Sequence, residues 1–383
     1  MSKEDLLYIF KIFVGWRISL FLFSLLAVNL IQNQSIFLGG GLHNYLSNPY
    51  FWGWLNFDGE HYLAIAQYGY RSLTYFYFPL FPILVRLVVF LYKSNTLILA
   101  IGGLLLNHLF LLIGLIGFWK LIKLDSTYDV KTVILLLLLF PTSFFFASYY
   151  TEGIFFALSV WAFFFARKKI WWAAGLLGLM STFTRLIGIA LFPAMIAEYS
   201  FSGSKKFRSV SINKNIIFLL LIPLGLFTYM LFVKYKTGDP FEFLHSVEIF
   251  GEQRSSNFVF LPQVFYRYIF KILPSLNYQY FPAVFFTGME FFTGVLFLFL
   301  SILGLVKLRL SYAIFLILGY VIPTLSGSFS SLPRYVIVLF PAFILMGLYF
   351  HKMHKIEQII IITIFFLSLA IATMLFIRGY WIA

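Results

Sequence analysis

The sequence predicts an all-α, polytopic membrane protein, and three observations carry that prediction. Hydrophobic residues make up 61% of the 383 positions, with only 11% charged. Mean hydropathy is +0.92, and apolar runs recur along the whole length. About 20 apolar residues at 1.5 Å rise cross a bilayer's hydrocarbon core. The short alternating segments of a β-barrel are absent, so the spans are read as helices.

Taken in order, spans are expected at residues 8–31, 97–119, 132–148, 151–167, 171–184, 186–200, 215–234, 282–306, 311–325, 334–350 and 358–377, about eleven in a single domain covering residues 1–383. The first lacks a small-residue cleavage site after its apolar core and reads as a retained span rather than a signal peptide. Residues 77–93, YFPLFPILVRLVVFLYK, are apolar but short, with Pro79 and Pro82 at the front and Arg86 inside. If they lie at the outer surface or re-enter, the clusters RKK (167–169), KKFR (205–208) and HKMHK (351–355) all face the cytoplasm, as the positive-inside rule expects. That topology puts the N-terminus inside and the C-terminus outside. It also leaves two long outer loops, at about 32–96 and about 235–281, the first holding interfacial helices.

The net charge of +14 raises nucleic acid as a partner, but no basic stripe exists outside the inter-helix turns. Anionic headgroups and topology explain the cations better. With no cysteine in the chain, disulfide and thiolate chemistry are excluded.

Only 14 acids occur in the chain, and two of them fall in NFDGEHYLAIAQYGY, residues 56–70. Read as a helix, this stretch puts Asp58, His61, Ile65 and Gly69 near one face and turns Glu60 away. Asp58 and Glu60 form a DxE pair that can hold a divalent metal, but two carboxylates without further ligands are a weak signal. His61 has no clustered histidines to make a zinc site. From spacing alone, an interfacial helix with solvated polar groups is the better explanation.

Glu152, beside Tyr149, Tyr150 and Thr151, sits between two apolar spans, where a polar cluster often lines a cavity. Arg185 lies between two short spans, and an arginine that close to hydrocarbon needs an anionic partner. Arg334 follows the hydroxyl-rich turn SGSFSSLP, where snorkelling to headgroups is the bland explanation. Glu248 and Glu252, one turn apart, repel and point to an exposed helix. Glu290, inside a span, can partner an arginine. Acids and cations on one face suit a lipid-linked anion whose phosphate leaves toward a cation, while a carboxylate takes the proton of a hydroxyl nucleophile.

FDGEHYLAIAQYGY followed by YFPLFPILVR resembles the first luminal-loop signature of the PIG-V-like mannosyltransferases, the family of GPI mannosyltransferase 2 and its prokaryotic relatives. FFFASYYTEGIFF resembles its second signature, and SGSFSSLPRYVIVLFPAF its fourth. TFTRLIG resembles the third in part, with Leu186 and Ile187 where the family often has a polar residue. The resemblance implies a GT-C type glycosyltransferase fold. It implies transfer of a mannosyl or other hexosyl residue, with inversion, from a polyprenyl- or dolichyl-phosphate sugar on the non-cytoplasmic face. The acceptor would be a lipid, a glycan or a protein. Carried onto this chain, Asp58 would be the base or an acceptor-orienting carboxylate, and Glu152 a second, acceptor- or site-organising acid. Arg185 and Arg334 would hold the donor phosphate, and His61, Glu60, Tyr150 and Tyr70 would line the site. The donor is a substrate, so no cofactor is implied, although a divalent metal at Asp58 and Glu60 stays open. The rival classes are a transporter or flippase of a polyprenyl-linked molecule, and a non-catalytic membrane subunit.

Overall fold

The computed structural model describes residues 1–34, 37–90, 95–125, 129–201, 214–246 and 254–382. Lys205, Lys206 and Arg208 of the KKFR cluster, and Glu248 and Glu252, lie outside the described residues. The described chain is helical throughout, with one isolated parallel bridge, Val259 to Ser326.

The expectation of eleven spanning helices is corrected: among the described residues, five helices are long and apolar enough to cross a membrane. They are Lys3–Leu30, Thr96–Lys123, Lys214–Thr237, Phe281–Lys307 and Lys355–Ile377. The remaining apolar runs fold into shorter helices, including Val130–Leu139, Glu152–Arg167, Trp171–Thr182, Leu310–Thr324 and Phe340–Phe350. The cause is local. Apolar sequence continues through each run, but the backbone leaves the helix inside it. Phe140 takes an extended conformation ahead of Pro141 (φ −56°, ψ 138°), as a residue before proline must. Arg185 is extended at φ −159°, ψ 149°, which separates Trp171–Thr182 from the 3-10 turn Leu186–Ala190. Ten residues of helix cover about 15 Å, half of a hydrocarbon core about 30 Å thick. Within residues 77–93, of which 91–93 lie outside the described residues, the helix Leu80–Val88 has nine residues. The first expected outer loop holds the short helices Gly41–Ser47, Pro49–Trp52 and Asp58–Tyr68 ahead of it.

The chain divides into two compact units. The first comprises residues 1–70, 79–164 and 343–382, the second residues 71–78 and 165–342. In the first, an aromatic core joins distant segments. Phe144, Phe145 and Tyr150 pack on Phe376, and Phe140 packs edge-on against Phe343 and Phe365. The break at 140–151 leaves buried backbone groups that need partners in an apolar setting. Asn107, fully buried on Thr96–Lys123, donates to the carbonyls of Phe146 and Ser148 at 3.0 and 2.7 Å. The Tyr149 amide donates to the Trp54 carbonyl at 2.9 Å.

In the second unit, Trp171–Thr182 packs closely on Leu221–Thr237. A Cβ at Gly225 would lie 2.1 Å from Thr182 Oγ1, so glycine lets the two backbones approach. At one end of this unit Glu198, buried, accepts from Arg309 Nη2 at 2.7 Å and from the Ser311 hydroxyl, with Arg167 Nε 3.5 Å away. This carboxylate ties three helix ends together.

Candidate functional site

In the first unit the DGEH stretch is held by the two residues before it. Asn56, fully buried, accepts from the Gly39 amide at 2.9 Å and donates to the carbonyls of Phe376 and Ile377 at 2.8 and 3.2 Å. Phe57 then adopts φ 57°, ψ −118°, a left-handed conformation rare for a bulky residue. Its amide donates to the Phe37 carbonyl at 2.8 Å, and its ring packs edge-on against Trp381. Strain of this kind persists only where the surroundings over-determine it, and it gathers at functional positions. The next residue is Asp58, 9% exposed, at the first position of Asp58–Tyr68.

The second acidic motif is fastened to the first. The Tyr150 hydroxyl donates to the Asn56 carbonyl at 2.9 Å. A Cβ at Gly59 would already lie 3.4 Å from the Tyr149 carbonyl and 3.5 Å from the Tyr150 ring. Two residues beyond Tyr150, Glu152 begins Glu152–Arg167 and is 1% exposed. The structure thus brings the motifs bearing Asp58, Tyr150 and Glu152 into hydrogen-bonded register.

Glu60 and His61 are half-buried on the same helix. Burial raises the Glu60 carboxyl above its ordinary value. Burial lowers His61, against a smaller opposing pull from the Asp58 charge, so the imidazole favours its neutral form. Its ring lies 6.0 Å from that of Phe37. Tyr70 falls beyond Gly69, whose φ of 84° ends the helix. About 16 Å of helix separates it from the Asp58 end.

The second unit holds the cations. Arg185 and Arg334 are both buried and both approach one ring: their guanidinium carbons lie 4.7 and 5.1 Å from the Tyr335 centroid. Arg334 Nη2 also reaches the Tyr335 hydroxyl at 3.4 Å. An aromatic face attracts each cation, and the shared ring spaces the pair. Glu290, expected to partner an arginine, accepts from the Tyr268 hydroxyl at 2.7 Å.

Sequence reasoning passed over several of these groups. Asn56 and Tyr335 stand inside the quoted motifs without being singled out there, and Tyr268 stands outside them; their partners include Phe376, Arg185 and Glu290, which only the fold brings near. Arg17 did carry a signal: an arginine inside the first apolar span. Its Nε donates to His108 Nε2 at 3.1 Å, and its guanidinium stacks 4.5 Å from the ring of buried Trp54. Because Nε2 accepts, His108 Nδ1 carries the proton and donates to the Leu104 carbonyl. Among the described residues, no three His, Cys, Asp or Glu side chains cluster as metal ligands.

Five long apolar helices among the described residues define an integral, multi-pass membrane protein, with Asp58 and Glu152 buried in one unit and Arg185 and Arg334 buried in the other. Residues 9–271, more than half of the chain, match the family model described as Mannosyltransferase (PIG-V), and the chain belongs to that family. Membership supports a transferase activity on glycosyl groups. The match takes in Asp58, Glu60, His61, Tyr70, Tyr150, Glu152 and Arg185; Arg334 lies C-terminal to it. No curated protein and no solved structure matches the chain.

Proposed function

We propose that this protein transfers a mannosyl or closely related hexosyl residue from a polyprenyl-phosphate sugar to a hydroxyl of a lipid, glycan or protein acceptor, on the non-cytoplasmic face and with inversion. The observation that carries the reading is the buried Asp58, set behind strained Phe57 and locked to the Glu152 motif through Tyr150 and Asn56. Rigid presentation of a carboxylate is what a general base requires.

In this mechanism Asp58 accepts the proton of the acceptor hydroxyl. The freed oxygen pair attacks the anomeric carbon on the side opposite the phosphate. The anomeric C–O bond breaks, its electron pair stays on the phosphate oxygen, and polyprenyl phosphate leaves. Arg185 and Arg334 stabilise that developing charge, a role worth a few kcal/mol in a dry site, roughly 3. Two guanidiniums held near one ring repel each other, and an anion within reach of both relieves the repulsion. Glu152 orders the acceptor side, with His61, Glu60, Tyr150 and Tyr70 as lining residues. Burial disfavours the charged forms of both Glu60 and His61, and Asp58 is the carboxylate assigned to the proton. The phosphate charge is met by guanidinium.

The test is a reconstitution. Purified protein in proteoliposomes receives radiolabelled polyprenyl-phosphate mannose or polyprenyl-phosphate glucose, together with a lipid extract. Label moving from mannose donor to a new acceptor supports the reading. Label crossing the bilayer still attached to its polyprenyl carrier would make the protein a transporter.

A further inference from the structure

The turn ahead of Arg334 is gripped by one segment, residues 254–267. Arg254 Nη2 donates to the Ser331 hydroxyl at 2.8 Å and to the Ser330 hydroxyl at 3.2 Å. From the next residue on, the backbone joins in: the Ser255 amide donates to the Ser326 carbonyl at 2.8 Å, and the Val259 amide to the Leu325 carbonyl at 2.9 Å. At the far end Arg267 Nη1 donates to the Gly327 carbonyl at 2.6 Å. Gly327 itself is left-handed at φ 85°, and a Cβ there would lie 2.7 Å from that same nitrogen. Immediately after Arg267 the chain makes a π turn, Tyr268–Ile272, a rare geometry that recurs at functional sites.

Ser331 is the hinge of this arrangement. It sits at φ 62°, ψ 1°, a conformation that a serine keeps only when its surroundings hold it. Its carbonyl accepts the amides of Arg334 at 3.1 Å and Tyr335 at 3.0 Å. The path from Arg254 to the pair that carries the second cation is therefore two hydrogen bonds long. Both protons of Nη2 are used on serine hydroxyls, which fixes the guanidinium plane as well as the serines.

We propose that Arg254 is a positioning residue for the phosphate of the lipid-linked donor. It acts through Ser330 and Ser331 to set the turn that presents Arg334 and Tyr335. The proposal rests on Arg334 binding that phosphate. It assigns work to a loop arginine that lies 80 residues upstream of Arg334 and carries no motif of its own.

The experiment measures binding of polyprenyl monophosphate to the full-length protein in nanodiscs, with the uncharged polyprenol as the control ligand. Arg254→Gln is expected to weaken the monophosphate about tenfold, the worth of a charge-assisted hydrogen-bond pair, and to leave polyprenol binding unchanged. Arg254→Lys restores part of the loss. The Ser330→Ala/Ser331→Ala pair, which leaves the guanidinium in place, lowers monophosphate affinity to a similar degree. Combining it with Arg254→Gln adds little, because all three residues act along one path. Normal affinity in the serine pair overturns the proposal whatever Arg254→Gln does, as do fully additive losses. Arg334→Gln separates the two levels. If it abolishes monophosphate binding while Arg254→Gln and the serine pair do not change it, the positioning role alone falls. If Arg334→Gln has no effect, the phosphate assignment falls and the positioning role with it.

Discussion

Asp58 follows a residue in left-handed geometry and precedes two titratable neighbours, so its surroundings are set within four positions. The neighbours make a pH prediction. Glu60 has a raised folded-state pKa, so its contribution to stability is full below the ordinary glutamate range and is lost as pH rises through the raised value. His61 has a lowered one, so its contribution is present above the ordinary histidine range and is lost as pH falls through the lowered value. Glu60→Gln should therefore raise the melting temperature at pH 7 relative to wild type, with the gain shrinking toward pH 4. His61→Gln should flatten the loss of stability between pH 7 and pH 5. Thermal melts across that range check both, and opposite signs would contradict the burial seen here. At this scale the acids were legible: DGEH and YYTEG are conspicuous where acids are scarce. Asn56 and Tyr335 were not, because Asn56 is held by the distant carbonyls of Phe376 and Ile377, and Tyr335 meets Arg185 from far back in the chain as well as its neighbour Arg334.

Helix breaks, rather than helices, distinguish the elements of this chain. Where the backbone leaves a helix inside apolar sequence, a buried side chain supplies the missing donor, and Asn107 is the clearest instance. Asn107→Leu keeps the volume but strands two carbonyls, so it should cost about 1–3 kcal/mol, read as a lowered melting temperature in detergent. Gly225→Val meets Thr182 and the Leu179 carbonyl at once and should cost about 1–3 kcal/mol through overpacking. Hydropathy counts alone read eleven crossings where, among the described residues, five helices have the length to cross. The signals for the breaks were present as Pro141, Pro341 and Arg185. A run of hydrophobic residues reports burial, and only its uninterrupted helical length reports a span.

For the whole molecule, the five long helices establish a multi-pass membrane protein, and the family match establishes the class of chemistry. Which face each loop occupies is a proposal, and the absence of cysteine from the chain makes it easy to test. Lys168→Cys and Ser72→Cys both place a thiol on an exposed position. A membrane-impermeant maleimide added to intact cells should label Ser72→Cys and spare Lys168→Cys until the membrane is opened; the reverse pattern would invert the proposed orientation.

The central claim is that Asp58 takes the acceptor proton. Its most direct test is initial-rate transfer from radiolabelled polyprenyl-phosphate mannose by wild type, Asp58→Asn and Glu60→Gln in matched proteoliposomes, with donor binding measured on the same samples. Asn keeps the size and removes the base, so Asp58→Asn should lower turnover by about 100-fold or more with donor affinity close to wild type, while Glu60→Gln stays within about tenfold of wild type. Undiminished turnover in Asp58→Asn would contradict the account.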